Sequence, residues 1–423
     1  MGVMRPFHFL HDELYCEDVA LAELAERVGT PLYVYSARSI RDRCRAFKSA
    51  LEGYDHHLTY AVKANANLEV LRVIAAEQLG ADVASKGEAF LALSAGFAPE
   101  SISFSGVGKR ADEILFALKN NIRRFYVESE QEWDALSEIA RQLGVRARVL
   151  LRLNLDIDAG GHDYISTGKK HDKFGLAPDR ALALAVRGEH SPPIDFRGLH
   201  VHIGSQITSV EPFVEAAEKL SEIVEHFRRR SIPVHDLDIG GGFGVVYEGF
   251  LQHPLLDEPK TKSVPEIATI LERILPIVRA TGCKIALQPG RAIVAEAGAL
   301  VSKVLYRKET DAKTFLIVDG GMNDLLRPSL YRAYHQIVPL KIARRALETV
   351  DVVGPCCESG DFFALDRRLP RLDRGDALAV LCAGAYGFVL SSNYNAQLRP
   401  AEVLVDGAKA ACVRERDRLE ELL

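Results

Sequence analysis

The sequence predicts an α/β protein: a (β/α)8 TIM-like barrel joined to a second, mostly antiparallel β-domain. Three observations lead there. Strand-like and helix-like patterns alternate eight times between about residues 37 and 295, a rhythm that calls for parallel strands linked by crossover helices. That span matches the roughly 250 residues such a barrel takes. After residue 295 the alternation stops, and short strand patterns follow one another without crossover helices. An open doubly wound sheet is the competing arrangement for the first part.

In chain order, a helical piece at 18–28 precedes a short strand at 31–35. Ser36 then has the side chain of an N-cap for a helix that runs to about Gly53. The eight barrel strands are expected at 58–63, 81–84, 102–105, 123–127, 148–154, 198–203, 235–239 and 284–288. Helical patterns between them include 68–78, 111–119, 130–143, 211–229 and 264–280. Strands of the second domain are expected at 300–307, 314–318, 350–353 and 377–381, punctuated by prolines and glycines. The strand around Tyr33 precedes the barrel and is expected to join them. The predicted domains are therefore 37–295 for the barrel, and 1–36 with 296–423 for the β-domain.

The chain has 423 residues, too many for one ordinary core. It is 48% hydrophobic and 26% charged, with a formal net charge of −5. That balance gives no reason to expect a nucleic-acid partner. The seven cysteines are odd in number and lack metal-site spacing, so no disulfide framework is expected. Residues 1–13 hold no long apolar run, and no stretch reaches the roughly 18 apolar residues of a membrane span. A cytoplasmic protein without a membrane partner is the expectation.

The candidate chemistry sits at predicted strand ends. Lys63 closes the first barrel strand. A partly desolvated lysine there can lose its proton and attack a carbonyl as a Schiff-base lysine; a lysine snorkelling to solvent is the plainer reading. Gly240, Gly241 and Gly242 follow the seventh strand. They read either as a nest of N–H groups for an anion such as phosphate, or as a tight turn. In the stretch 199–205, His200 and His202 alternate onto one strand face, and Ser205 follows. His202 suits stacking on an aromatic ring, a hydrogen-bonded interior position or, least well, metal ligation. Gln288-Pro-Gly290-Arg291 ends the eighth strand. Gln288 points inward with an amide for a ring nitrogen, and Arg291 suits a bidentate anion contact or a surface ion pair. In the second domain, Cys357 neighbours Glu358. A carboxylate beside a thiol disfavours thiolate, which suits Cys357 to proton donation rather than nucleophilic attack. Arg327 and Tyr331 read as a carboxylate grip, and Tyr386 lies in a glycine-flanked turn.

Taken together, these motifs resemble the alanine-racemase-like, fold-type III pyridoxal-phosphate decarboxylases. The likeness rests on Tyr60-Ala-Val-Lys-Ala-Asn65, His202-Ile-Gly-Ser205, Gly240–Gly242, Pro289-Gly-Arg291, Arg327-Pro-Ser-Leu-Tyr331, Cys357-Glu-Ser-Gly-Asp361 and Tyr386. Cys-Glu with Arg-Pro-x-x-Tyr is most similar to the diaminopimelate branch. The resemblance implies pyridoxal 5'-phosphate tethered by Lys63, with His202 stacked on its ring. It implies that Ser205, the three glycines, Gly290 and Arg291 hold phosphate or a substrate carboxylate. Arg327 and Tyr331 would grip a substrate carboxylate, and Tyr386 would touch cofactor and substrate. Cys357, as proton donor, and Glu358 would come from the neighbouring subunit of a homodimer with shared active sites. The loop 166–175 would help close the site. The implied reaction is decarboxylation of meso-2,6-diaminopimelate to L-lysine, the last step of lysine biosynthesis. Related decarboxylases of carboxynorspermidine, a D-amino acid or a carrier-bound glutamyl group stay open, as does a non-catalytic cofactor carrier. One residue departs from the family: Gln288 stands where a glutamate keeps the ring nitrogen protonated.

Overall fold

The computed structural model describes residues 5–157, 171–189, 191–256 and 263–423. The chain forms two compact units: one of residues 44–244 and 264–290, the other of residues 1–43, 245–263 and 291–423.

The first unit is a closed barrel of eight parallel strands: His56–Ala61, Gly80–Val83, Ile102–Phe104, Arg124–Val127, Ala147–Arg152, Ile194–His200, Asp236–Asp238 and Lys284–Leu287. The strands pair in chain order, and the eighth closes on the first through Ile285 opposite His56 and Leu287 opposite Leu58. The closed ring excludes the open doubly wound sheet. Helices between strands start where a polar side chain takes up free N–H groups. Asn67 caps Leu68–Ala76 by accepting from Glu69 N (3.0 Å), and Ser129 caps Glu130–Leu143 by accepting from Glu132 N (3.1 Å). Ser85 does the same for Lys86–Ala95, accepting from Glu88 N at 3.2 Å. Left-handed Gly96 and Gly144 end the latter two helices.

The barrel interior carries a polar stack. Arg124 on the fourth strand pairs with Asp236 on the seventh at 3.1 Å, and the Tyr126 hydroxyl donates to Asp238. The fourth and seventh strands are not neighbours in the ring, so both contacts cross the interior. Two residues separate the layers along each strand, which is the pleat repeat. Asp238 also accepts from Gly240 N at 2.7 Å. The upper layer thus leads directly into the glycine turn at the mouth. Burial pushes the Asp238 carboxyl up to about 7, against the pull of Tyr126, the Gly240 N–H and Arg124.

The second unit is built on a nine-stranded, mostly antiparallel sheet. Its long strand Gly298–Glu309 pairs with Leu32–Ser36, Thr314–Val318 and Ala377–Val380, all antiparallel. Leu32–Ser36 therefore joins this sheet, as expected of the strand around Tyr33. Ser36 Oγ accepts from Ser39 N at 3.0 Å and caps Ala37–Ala50. Strands Phe362–Pro370, Ala401–Asp406 and Lys409–Arg414 were not expected. Phe362–Pro370 ends in proline and carries Asp366-Arg-Arg368 in its middle. No helix among the described residues is long and apolar enough to cross a membrane.

Candidate active site

In the barrel unit, the first strand ends two residues before the sequence expectation. Ala61 N donates to Pro289 O (3.1 Å), and the chain then turns through Val62–Ala64, closed by Asn65 N to Val62 O (3.1 Å). Lys63 thus sits on a one-turn 3-10 helix past the strand's C-terminal end, with its side chain exposed. Among the described residues it makes no hydrogen bond or ion pair. Its ammonium is the leading charge acting on Asp82 and on His202.

The regular sixth strand stops at His200, so His202 lies in the loop beyond it and not on a shared strand face. His202 Nδ1 accepts from Gly241 N at 3.1 Å, which assigns the ring proton to Nε2. Burial, then the charges of Lys63 and Arg152, hold its pKa well below the usual value, so the imidazole is neutral. His200 is likewise lowered, by burial first and then by the charges of Arg152, His202 and Lys63, with Gln288 opposing the shift. Ser205 is half-buried in the same loop as His202.

The glycines are required by close approach. A Cβ on Gly240 would stand 2.4 Å from Val201 O, one on Gly241 2.4 Å from Gln288 O, and one on Gly242 2.5 Å from Gly204 O. Gly240 and Gly242 also hold φ of 77° and 94°. Gly290 packs on Ala61 and Ala64, where a Cβ would approach to about 3 Å. Gln288 is buried and donates from Nε2 to Asp82 Oδ1 at 3.4 Å. Asp82 also accepts from Ser103 (3.2 Å) and Ser105 (2.5 Å). Burial raises its pKa, and Lys63 is the first charge opposing that shift.

Asp82 and Arg152 went unremarked in the sequence. Both are buried on barrel strands, and a charged residue inside an otherwise apolar strand was the available signal. Arg152 pairs with buried Glu128 at 3.0 Å and lies over the Phe174 ring at 4.5 Å. Gly175 N reaches Glu128 Oε2 at 3.2 Å. Residues 166–170 of the expected closing loop lie outside the described residues.

The second unit gathers a separate set. Arg291 and Arg327 are both buried, and both donate to the Tyr247 hydroxyl oxygen at 2.7 Å. Arg291 lies over the Tyr386 ring at 4.9 Å, and Tyr331 is close enough to act on its charge. Tyr386 holds φ of 55° between Gly384 and Gly387, whose Cβ atoms would collide with Val294 O and Ala383 O. Tyr247 had no sequence signal of its own. Cys357 and Glu358 stand exposed at the apex of a loop. Asp361 ties that loop down, accepting from Met322 N and Cys356 N at 2.6 Å each. Cys357 N donates to Asn395 Oδ1 at 2.8 Å. Among the described residues no group of His, Cys, Asp or Glu side chains is arranged to hold a metal ion.

Residues 37–295 match the family model described as "Pyridoxal-dependent decarboxylase, pyridoxal binding domain". The chain is 45% identical over 419 residues to a diaminopimelate decarboxylase of Pseudomonas aeruginosa, covering 99% of this chain and 98% of the relative. It is 44% identical over 420 residues to that of Vibrio cholerae, with 99% and 98% covered. Among solved structures, the Helicobacter pylori diaminopimelate decarboxylase complexed with L-lysine is 39% identical with a TM-score of 0.89, covering 95% of this chain and 98% of that one. The enzyme from M. jannaschii in co-complex with L-lysine is 34% identical with a TM-score of 0.91, covering 98% and 96%. Fold, full-length likeness and the matched cofactor-binding region agree, and the chain belongs to the diaminopimelate decarboxylase family of pyridoxal-phosphate-dependent carboxy-lyases.

Proposed function

We propose that this chain decarboxylates meso-2,6-diaminopimelate to L-lysine and CO2 as the last step of lysine biosynthesis. The observation that carries the reading is the Lys63 amine, without a hydrogen-bond or ion-pair partner among the described residues, acting on a neutral His202 that is itself fixed to the glycine turn.

The residues fit pyridoxal 5'-phosphate. Lys63 would be its covalent tether, and His202 would stack on its ring. Ser205, Gly240, Gly241, Gly242, Gly290 and Arg291 would hold its phosphate, Gln288 would meet its ring nitrogen, and Tyr386 would contact it. Bound there, the cofactor supplies an electron sink for the pair left when CO2 departs. Arg327 and Tyr331 bind a substrate carboxylate and set which α-carbon reacts; Arg291 and Tyr386 also reach the substrate. Cys357 Sγ or Lys63 Nζ then delivers a proton to that carbon, and Glu358 meets the distal amino group. The exposure of Cys357 and Glu358 on a tied loop supports their serving the neighbouring subunit of a homodimer with shared sites. We take 37–295 as the cofactor-binding domain, 1–36 with 296–423 as the β-domain, and the cytoplasm as the location.

Gln288 favours a second reading, in which the same chemistry acts on another amino acid. Measuring CO2 release over a panel of amino acids separates the two. meso-Diaminopimelate is expected to be turned over fastest; faster release from ornithine, arginine, lysine or carboxynorspermidine would overturn the assignment.

A further inference from the structure

Tyr247 places one oxygen between two buried cations. Its hydroxyl oxygen accepts from Arg291 and from Arg327, each at 2.7 Å. A phenol oxygen has two lone pairs, and here both face guanidinium groups. The Tyr247 ring also lies under Arg327 at 5.0 Å and meets His335 edge-on at 5.1 Å. His335 adds no negative charge to this wall. Its Nδ1 is engaged with Leu381 O at 2.8 Å, and burial holds the ring neutral. Among the described residues no carboxylate pairs with Arg327. A buried cation is costly unless an anion meets it, and Arg327 is such a cation.

We propose that Tyr247 is a positioning residue that pins Arg291 and Arg327 together as a single twin-guanidinium grip for an oxyanion. The shared oxygen sets their spacing before the ligand arrives, so less ordering is left to do on binding. It also links the two arginines, so that loss of one disturbs the other. The oxyanion has two candidate sources under the proposed function on which this inference rests: the cofactor phosphate and the substrate carboxylate.

Calorimetry without turnover distinguishes them. One arm titrates full-length apoenzyme with pyridoxal phosphate and with pyridoxal, and takes the ratio of affinities. The other titrates holoenzyme with L-lysine and with cadaverine, which lacks the carboxylate. Tyr247→Phe keeps the ring and removes the oxygen. It is expected to lower one ratio roughly tenfold, as loss of a hydrogen bond to a charged group does, and the ratio that falls identifies the source. Arg327→Gln is expected to lower the same ratio, and the double variant no further. Unchanged ratios in Tyr247→Phe would overturn the proposal. So would a parallel loss for both ligands of each pair, which marks a merely structural tyrosine. Failure of the decarboxylase reading would show separately, as a wild type that binds cofactor but releases no CO2 from any amino acid.

Discussion

Gln288 donates its side-chain amide to Asp82 Oδ1 at 3.4 Å, across the barrel wall position occupied by the first strand. Asp82 is a buried carboxylate that already collects two serine hydroxyls, so the amide presents its NH2 to Asp82 and its carbonyl oxygen elsewhere.

Gln288→Glu replaces that donor with a second carboxyl beside Asp82. Two carboxylates at this distance do not both ionise freely, and the pair titrates as a unit. The glutamate is expected to strengthen the electron sink. The prediction is a higher kcat for decarboxylation together with a changed cofactor absorbance and a new pH dependence. No change in rate or spectrum would mean that position 288 does not tune the ring.

Sharing of sites between subunits is tested by mixing. Lys63→Ala and Cys357→Ala are each expected to lower kcat by about 10²-fold or more, because each removes a group that moves a proton. If a site takes Lys63 from one subunit and Cys357 from the other, a mixed dimer regains one intact site. Random exchange of equal amounts would restore about a quarter of wild-type activity. Activity that stays at the level of the separate variants would place both residues in one subunit's site.

Eight strands of the barrel were readable because a parallel strand must be apolar and short, and the helices between them carry caps at their starts. Lys63, the glycine turn and Gln288-Pro-Gly-Arg291 were legible for a similar reason: lysine, glycine runs and arginine at strand ends are local exceptions to that pattern. Tyr247 was not legible. It lies in irregular chain after the glycine turn, and its meaning comes from Arg291 and Arg327, 44 and 80 positions away in the sequence. Asp82 was hidden because a single aspartate between Ala81 and Val83 says nothing of Ser103, Ser105 and Gln288 around it. Strand Phe362–Pro370 was hidden by its charged, sharply turned middle, where Asp366 holds φ of 49°.

His57 predicts a pH dependence of stability. It lies on the first barrel strand, and burial, then Arg124, Lys284 and His56, lower its pKa to about 3. The unfolded chain therefore binds a proton that the folded chain refuses between about pH 6.5 and 3. Stability is present above that window and is lost as pH falls through it. His57 Nε2 has no partner among the described residues, so His57→Leu forfeits no hydrogen bond there. Relative to wild type, the variant is expected to gain about 2 kcal/mol of unfolding free energy on going from pH 7 to pH 5. Denaturant titrations at the two pH values check this; equal differences at both would contradict it.

One amine at the barrel mouth must carry the cofactor if the proposed reaction is to run. Borohydride reduction of the holoenzyme followed by peptide mass spectrometry tests it most directly. The predicted result is a pyridoxyl group on Lys63 and nowhere else. A label on a different lysine, or a Lys63→Ala protein that still decarboxylates meso-diaminopimelate, would contradict it.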